Sequence, residues 1–179
     1  MEVFADARPV EIEIGCGKGA FLLAYATLHS DTSLLGIERQ LRWVRQIEAR
    51  LARAPLDNVR VLYADAAFVV SRLVRDTSVR AYHLYFPDPW WKRRHEKRRF
   101  VQGELVHHLF RTLEPGGALY LATDVRERFA AMVGELSRSP FEVTIARQPT
   151  PRGRPLTNFE RKYQAERRGL YYATFAKPL

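Results

Sequence analysis

The sequence predicts an α/β protein: a seven-stranded, mostly parallel sheet with the last strand antiparallel and helices on both faces. Three observations point there. Apolar runs of strand length alternate with stretches of helical periodicity, the pattern of a parallel sheet with crossover helices. A glycine turn, "GCGKG" (15–19), directly follows the first strand-like run. The fourth such run stops at "PDP" (87–89), a turn at a strand's carboxyl end, where sheets of this kind place their ligands.

"VEIEI" (10–14) is the first strand, and a helix from Ala20 to Leu28 follows, with Phe21, Leu22, Tyr25 and Leu28 at helical spacing. "SLLGI" (33–37) is the second strand, and Leu41, Val44, Ile47, Glu48 and Leu51 mark the helix after it. "NVRVLYA" (58–64) is the third, followed by a short helix over 66–75. "AYHLYF" (81–86) is the fourth. A helix from Phe100 to Leu113 comes next, stopped by "EPGG" as a turn. "ALYLAT" (118–123) is the fifth strand, Val125 to Leu136 a helix and "FEVTIA" (141–146) the sixth strand. "RQPTPRGRPLTNFER" holds three prolines and a glycine and reads as loop, with a short helix starting at Thr157, where Glu160 completes a capping box. "GLYYATF" (169–175) is the last strand, antiparallel because no full-length crossover helix precedes it. The sum is a Rossmann-like sheet.

With 179 residues, 46% of them hydrophobic, the chain is expected to form one domain with a true core. No apolar run approaches the roughly 18 residues that a membrane span needs, and no basic-then-apolar leader opens the sequence. A single cysteine, Cys16, excludes an internal disulfide and a multi-cysteine zinc site; no metal is expected. A cytoplasmic protein follows as the expectation. Net charge is +9, unevenly spread. Residues 1–81 carry eleven Lys/Arg against ten Asp/Glu, a net of +1; residues 82–179 carry eighteen against ten, a net of +8. A near-neutral half (about 1–81) that holds a small ligand and a basic half (about 82–179) that meets a polyanion fit this division, with nucleic acid the foremost polyanion.

The glycine turn admits two chemistries. Gly15, Gly17 and Ala20 satisfy the dinucleotide fingerprint G-x-G-x-x-[GA]. Gly15, Gly17 and Gly19 with Glu13 two residues upstream also match E-x-G-x-G-x-G, which resembles motif I of class I methyltransferases. Charge separates the two. A pyrophosphate avoids a carboxylate, whereas the ammonium and sulfonium of S-adenosylmethionine suit one. Glu38 ends the second strand, where an acid accepts ribose hydroxyls or, more plainly, starts a helix. Asp65 follows the third strand, at the place of the motif that contacts the adenine amino group, or serves only as an N-cap. Cys16 is a small residue in the turn and receives no chemistry.

Residues 86–99, "FPDPWWKRRHEKRR", set Asp88 and two indoles before a run in which six of eight residues are Lys or Arg. This stretch resembles the signature F-P-D-P-W-x-K-[KR]-R-H-x-K-R-R of bacterial tRNA (guanine-N7-)-methyltransferases of the TrmB type. "EIGCGKG", "GIE", "ADAA", "LATDVRE" and "TNFERKYQAERRG" extend the likeness from about residue 11 onward. The sequence departs from the pattern at Trp91 and in a shorter stretch before the first strand. The resemblance implies a class I methyltransferase fold in a single domain over 1–179, S-adenosylmethionine as cofactor and N7 of a guanine in the tRNA variable loop as target. It implies cofactor contacts by Glu13, Gly15, Gly17, Gly19, Glu38, Asp65 and Asp88. By the same resemblance Asp88 would be the catalytic residue, and Lys92, Asp124, Thr157, Asn158, Phe159 and Glu160 would bind substrate. Arg93, Arg94, Lys97, Arg98 and Arg99 would contact tRNA phosphates, adding affinity but no sequence information. Trp90 either stacks on a base or packs beneath the loop, and His95, among cations, is a neutral hydrogen-bonder. The expected state is a monomer or homodimer without an obligatory protein partner. Three rivals stand beside this reading: another base methyltransferase, an RNA-binding module with a vestigial pocket, and an NAD-linked oxidoreductase allowed by the glycines alone.

Overall fold

The computed structural model describes residue 4, residues 7–87 and residues 99–179, the side chains of 99–103 excepted. In chain order the elements are β1 (Val10–Ile14), α1 (Ala20–Leu28), β2 (Ser33–Glu38), α2 (Leu41–Arg53), β3 (Val59–Tyr63), α3 (Ala66–Arg72) and β4 (Val79–Tyr85). Then follow α4 (Arg99–Thr112), β5 (Leu113–Thr123), α5 (Arg126–Leu136), β6 (Glu142–Ala146), α6 (Asn158–Ala165) and β7 (Tyr171–Ala176). The seven strands form one sheet in the order β3-β2-β1-β4-β5-β7-β6. All pairings are parallel except those of β7, which runs antiparallel to both β5 and β6. The predicted strand count and the reversed last strand are both present.

The core splits over the two faces of the sheet. One cluster joins Ile12, Ile14 and Leu35 to Val69 of α3, Leu105 and Leu109 of α4, and Met132 and Leu136 of α5. The other joins Phe21, Leu22 and Tyr25 of α1 and Ile47 of α2 to Val59, Tyr85 and Tyr172. Every residue of β2 is buried, as a strand covered on both faces must be. Between β1 and β4 the strand order reverses, and the crevice at their carboxyl ends is the place where such sheets bind ligands.

Of the element ends that differ from the sequence expectation, three have a clear local reason. β4 stops at Tyr85 because Phe86 takes φ 50°, a left-handed conformation incompatible with a strand. α3 ends at Arg72, where the amides of Leu73 and Val74 both donate to the Val69 carbonyl and close the last turn. "EPGG" is not a free turn: β5 begins at Leu113, opposite Val79, and the register slips so that Ala118 lies opposite Ala81. The extra residues bulge there, with Gly116 at φ 75°. Gly117 sits so close to its neighbours that an added Cβ would lie 2.9 Å from both the Arg80 and the Glu114 carbonyl oxygens.

Two glycine-to-alanine substitutions are therefore expected to act in opposite directions in urea unfolding. Gly117→Ala should destabilise by about 1–3 kcal/mol, since backbone oxygens cannot step aside as side chains do. Gly134→Ala, inside α5 with open space where the Cβ would go, should stabilise by up to about 1 kcal/mol.

Candidate active site

A cavity of about 560 Å³ opens outside the carboxyl ends of β1, β2 and β4. Its floor is the glycine turn. Gly15, Gly17 and Gly19 take φ of 75°, 52° and 69°, a region that side chains rarely occupy. They are not equivalent. A Cβ on Gly15 or Gly17 would meet no protein atom within 4 Å, so these two leave room for a ligand to approach the backbone. A Cβ on Gly19 would lie 2.6 Å from the Ile47 side chain, so that glycine serves the seating of α1 against α2.

All three acids that the sequence singles out beside the turn line this cavity: Glu13, Glu38 and Asp65. Glu38 is tied to the turn itself, one oxygen accepting the Gly17 amide at 2.9 Å and the other the Gln40 amide at 2.8 Å. Each oxygen keeps a lone pair for a ligand. Asp65 caps α3 through Oδ1, which accepts the Phe68 amide at 3.2 Å, so the N-cap role and a cavity position coexist. Glu13 is the unusual one. Its carboxyl is buried, Oε2 has no hydrogen-bond partner, and burial pushes its pKa up to about 8; nearby Arg154 opposes the rise and Glu38 adds to it. A buried carboxyl oxygen left without a donor beside two ligand-accommodating glycines suits a cationic group, which would favour its ionised form.

The opposite wall comes from the segment after β6. Thr157 caps α6 with both halves of the predicted capping box, and Thr157, Asn158 and Phe159 line the cavity. Phe159, half exposed, stands in an aromatic triangle with Phe86 and Tyr163, at centroid distances of 5.6 to 5.8 Å. Glu160 is not at the cavity surface. It is fully buried, and its two oxygens accept Arg154 Nη1 at 2.9 Å, Arg154 Nη2 at 2.5 Å and the Thr157 amide at 2.7 Å. It shapes this wall of the cavity rather than facing it. Asp124 also stands back from the lining: it pairs with Arg168 at 3.3 Å, whose guanidinium lies 4.6 Å from the Tyr163 ring centre. Asp88, Trp90, Trp91, Lys92, Arg93, Arg94, His95, Lys97 and Arg98 lie outside the described residues, as does the side chain of Arg99.

Several contributors escape sequence reasoning. Trp43 lines the cavity with Lys18 and Gln40, and no local pattern marks it beyond its place in the first turns of α2. Arg154 is buried and bidentate to Glu160, donates through Nε to the Thr150 carbonyl at 2.8 Å, and lies 4.2 Å from the Tyr85 ring centre. The only sequence hint is an arginine set among prolines just before a capping box.

Among known proteins, residues 7–173 match the family model described as "Putative methyltransferase". The tRNA (guanine-N(7)-)-methyltransferase of Sodalis glossinidius (strain morsitans) is 36% identical over 179 residues, taking in 98% of this chain and 75% of that one. The protein of the same description from Myxococcus xanthus (strain DK1622) is 35% identical, over 98% of this chain and 86% of its own. Of the solved structures, the aminoglycoside resistance methyltransferase NpmB1 aligns with a TM-score of 0.68 at 19% identity, over 97% of this chain and 89% of that one, a likeness of fold.

Two outcomes are expected from this geometry. Arg154→Met strands the buried Glu160 charge and should cost about 3–5 kcal/mol in urea unfolding, part of which the double variant Arg154→Met/Glu160→Gln regains. Because the Glu13 carboxyl is raised in the folded state from the usual 4.5 to about 8, its contribution to stability is present below pH 4.5 and lost as pH rises through about 8. Unfolding midpoints of the unliganded protein should fall across that window, and Glu13→Gln should flatten the fall.

Proposed function

The chain belongs to the tRNA (guanine-N7-)-methyltransferase family, and from that premise we propose that it transfers a methyl group from S-adenosylmethionine to N7 of a guanine in the variable loop of tRNA, in the cytoplasm. The single observation that carries the cofactor assignment is the Glu13 carboxyl, whose buried Oε2 has no partner, beside Gly15 and Gly17. S-adenosylmethionine supplies an electrophilic methyl on a sulfonium. Glu13 is in position to face its ammonium, Glu38 its ribose hydroxyls and Asp65, through the oxygen not used as a cap, its adenine amino group. No helix among the described residues is long and apolar enough to cross a membrane.

Guanine N7 presents a lone pair and no proton, so the reaction needs no general base. The protein's work is to align the purine for in-line displacement and to stabilise the positive charge that arrives on it. We assign the second task to Asp88, three residues beyond the end of β4, between two prolines that stiffen its backbone. Phe86 and Phe159 offer aromatic faces on the substrate side of the cavity, suited to stacking on a purine. Lys92 would hold the target nucleotide, and Arg93, Arg94, Lys97, Arg98 and Arg99 the phosphates around it. Asp124 and Glu160 act one step behind, through Arg168 with Tyr163 and through Arg154 with Thr157.

The assay is methyl transfer to unmodified tRNA transcripts followed by nucleoside mass spectrometry. The expected product is 7-methylguanosine, absent when the variable-loop guanine is replaced; a methyl group on an exocyclic amine would overturn the reading. Asp88→Asn should lower turnover by about 10²-fold or more while tRNA affinity stays near wild type. Placing a cation against Glu13 should also drive its proton off. Calorimetry near pH 7 in buffers of different ionisation enthalpy should therefore register proton release on cofactor binding, and Glu13→Gln should abolish it.

A further inference from the structure

Helix α2 buries only Val44 and Ile47 and turns four arginines outward, Arg42, Arg45, Arg50 and Arg53, all exposed. At 3.6 residues per turn the four fall within an arc of about 140° on the side away from the core. Glu48 is the helix's one acid, so its net charge is +3, four minus one. The first turn has no acid to favour the helix dipole, and Arg42 stands there against it, an arrangement that an external anion would relieve. None of the four arginines pairs with a carboxylate among the described residues; Arg42 instead bonds Gln40 Oε1 at 3.1 and 2.8 Å, and Arg50 bonds the Lys18 carbonyl at 3.0 Å. These bonds hold guanidinium groups in place without neutralising them.

The charged face is continuous with the active site. Trp43 and Lys18 line the cavity, with the Arg42 guanidinium 4.5 Å and the Lys18 ammonium 5.2 Å from the Trp43 ring centre. Tyr63, at the carboxyl end of neighbouring β3, is 56% exposed. Strand alternation puts it on the face of Val59 and Val61, which meet the same cluster as Ile47. Cations beside exposed aromatic rings are the composition of a single-stranded nucleic-acid surface. The near-neutral sum of residues 1–81 hides this, because Glu11, Glu13 and Glu38, three of its ten acids, are buried while these arginines are not.

We infer that the outer face of α2 is a second RNA-binding surface, on which the four arginines take phosphates of the tRNA and Trp43 stacks on a base at the cavity mouth. This rests on the reading that tRNA is the substrate, and adds a grip from the cofactor-binding half to that of the basic run 92–99.

The test measures binding of an unmodified tRNA transcript as a function of salt. Arg45→Gln/Arg53→Gln, both outside the cavity lining, should weaken binding by tenfold or more near 0.1 M salt, as an order of magnitude, and reduce the slope of log K against log salt by about 1.5. Cofactor affinity, measured by calorimetry, should stay at wild type and report an intact fold. A control, Arg138→Gln/Arg147→Gln, removes two exposed arginines elsewhere and should leave the slope unchanged. A wild-type slope in the α2 variant, or an equal loss in the control, overturns the inference. The slope is read without turnover, so this surface stands or falls separately from the formation of 7-methylguanosine.

Discussion

Arg154 carries a positive charge to a place closed to bulk solvent, and the surrounding groups are arranged to answer it. Its side chain and that of Glu160 are both 0% exposed. Desolvation of such a pair is severe, and attraction repays it only when geometry is good and the remaining donors are satisfied. Here the carboxylate takes the guanidinium fork, the Thr150 and Pro155 carbonyls take further N–H groups, and the Tyr85 ring lies against the plane. Because Glu160 also accepts the Thr157 amide, the same ion pair that anchors the loop sets the start of α6 and hence the cavity wall. The network runs on through Tyr85, whose hydroxyl donates to Thr150, to His83 Nδ1 at 2.9 Å, and from His83 Nε2 to Glu11 at 2.7 Å. Cavity wall and sheet centre are one polar assembly.

That assembly explains why two glutamates on one strand behave oppositely. Glu11 and Glu13 lie two residues apart on β1 and share a face. Burial raises both. At Glu11 the hydrogen bonds and charges of His83 and Arg80 outweigh burial and bring the carboxyl below its ordinary value. At Glu13 the Arg154 charge and a backbone hydrogen bond from Leu22 are outweighed by burial and the Glu38 charge, and the carboxyl is held high. The inner glutamate is structural because its partners are complete; the one at the cavity is available because its partners are not. Environments that push like groups apart are how a fold separates roles.

Strand spacing, the glycine turn and the capping box are local, and each was legible from the residues themselves. Glu13, Glu38 and Asp65 were legible for the same reason: they sit at strand ends, where chain order alone brings them to one crevice. Arg154 was not, because its role exists only once the loop folds back upon β4 and α6. Glu160 was read as a substrate contact as well as a cap; its interior position depends on that arginine, which no spacing rule announces. "EPGG" misled in another way. The dipeptides that signal a turn also build a bulge, and only the pairing of Leu113 with Val79 distinguishes the two. The basic face of α2 was obscured by summation, since a net charge cannot say which acids are buried.

The lone cysteine gives the glycine turn a clock. Cys16 is 6% exposed, wedged beside Gly36 so that a Cβ on that glycine would lie 2.8 Å from its sulfur, and burial with the Glu13 and Glu38 charges holds its thiol well above the usual range. A protonated, nearly buried thiol reacts slowly, although Cys16 also lines the cavity. An alkylating reagent gains further access to it whenever the turn opens wider, so its labelling rate rises with the opening of the turn. One sulfur thereby reports, at a single residue, on the opening of the cavity's floor.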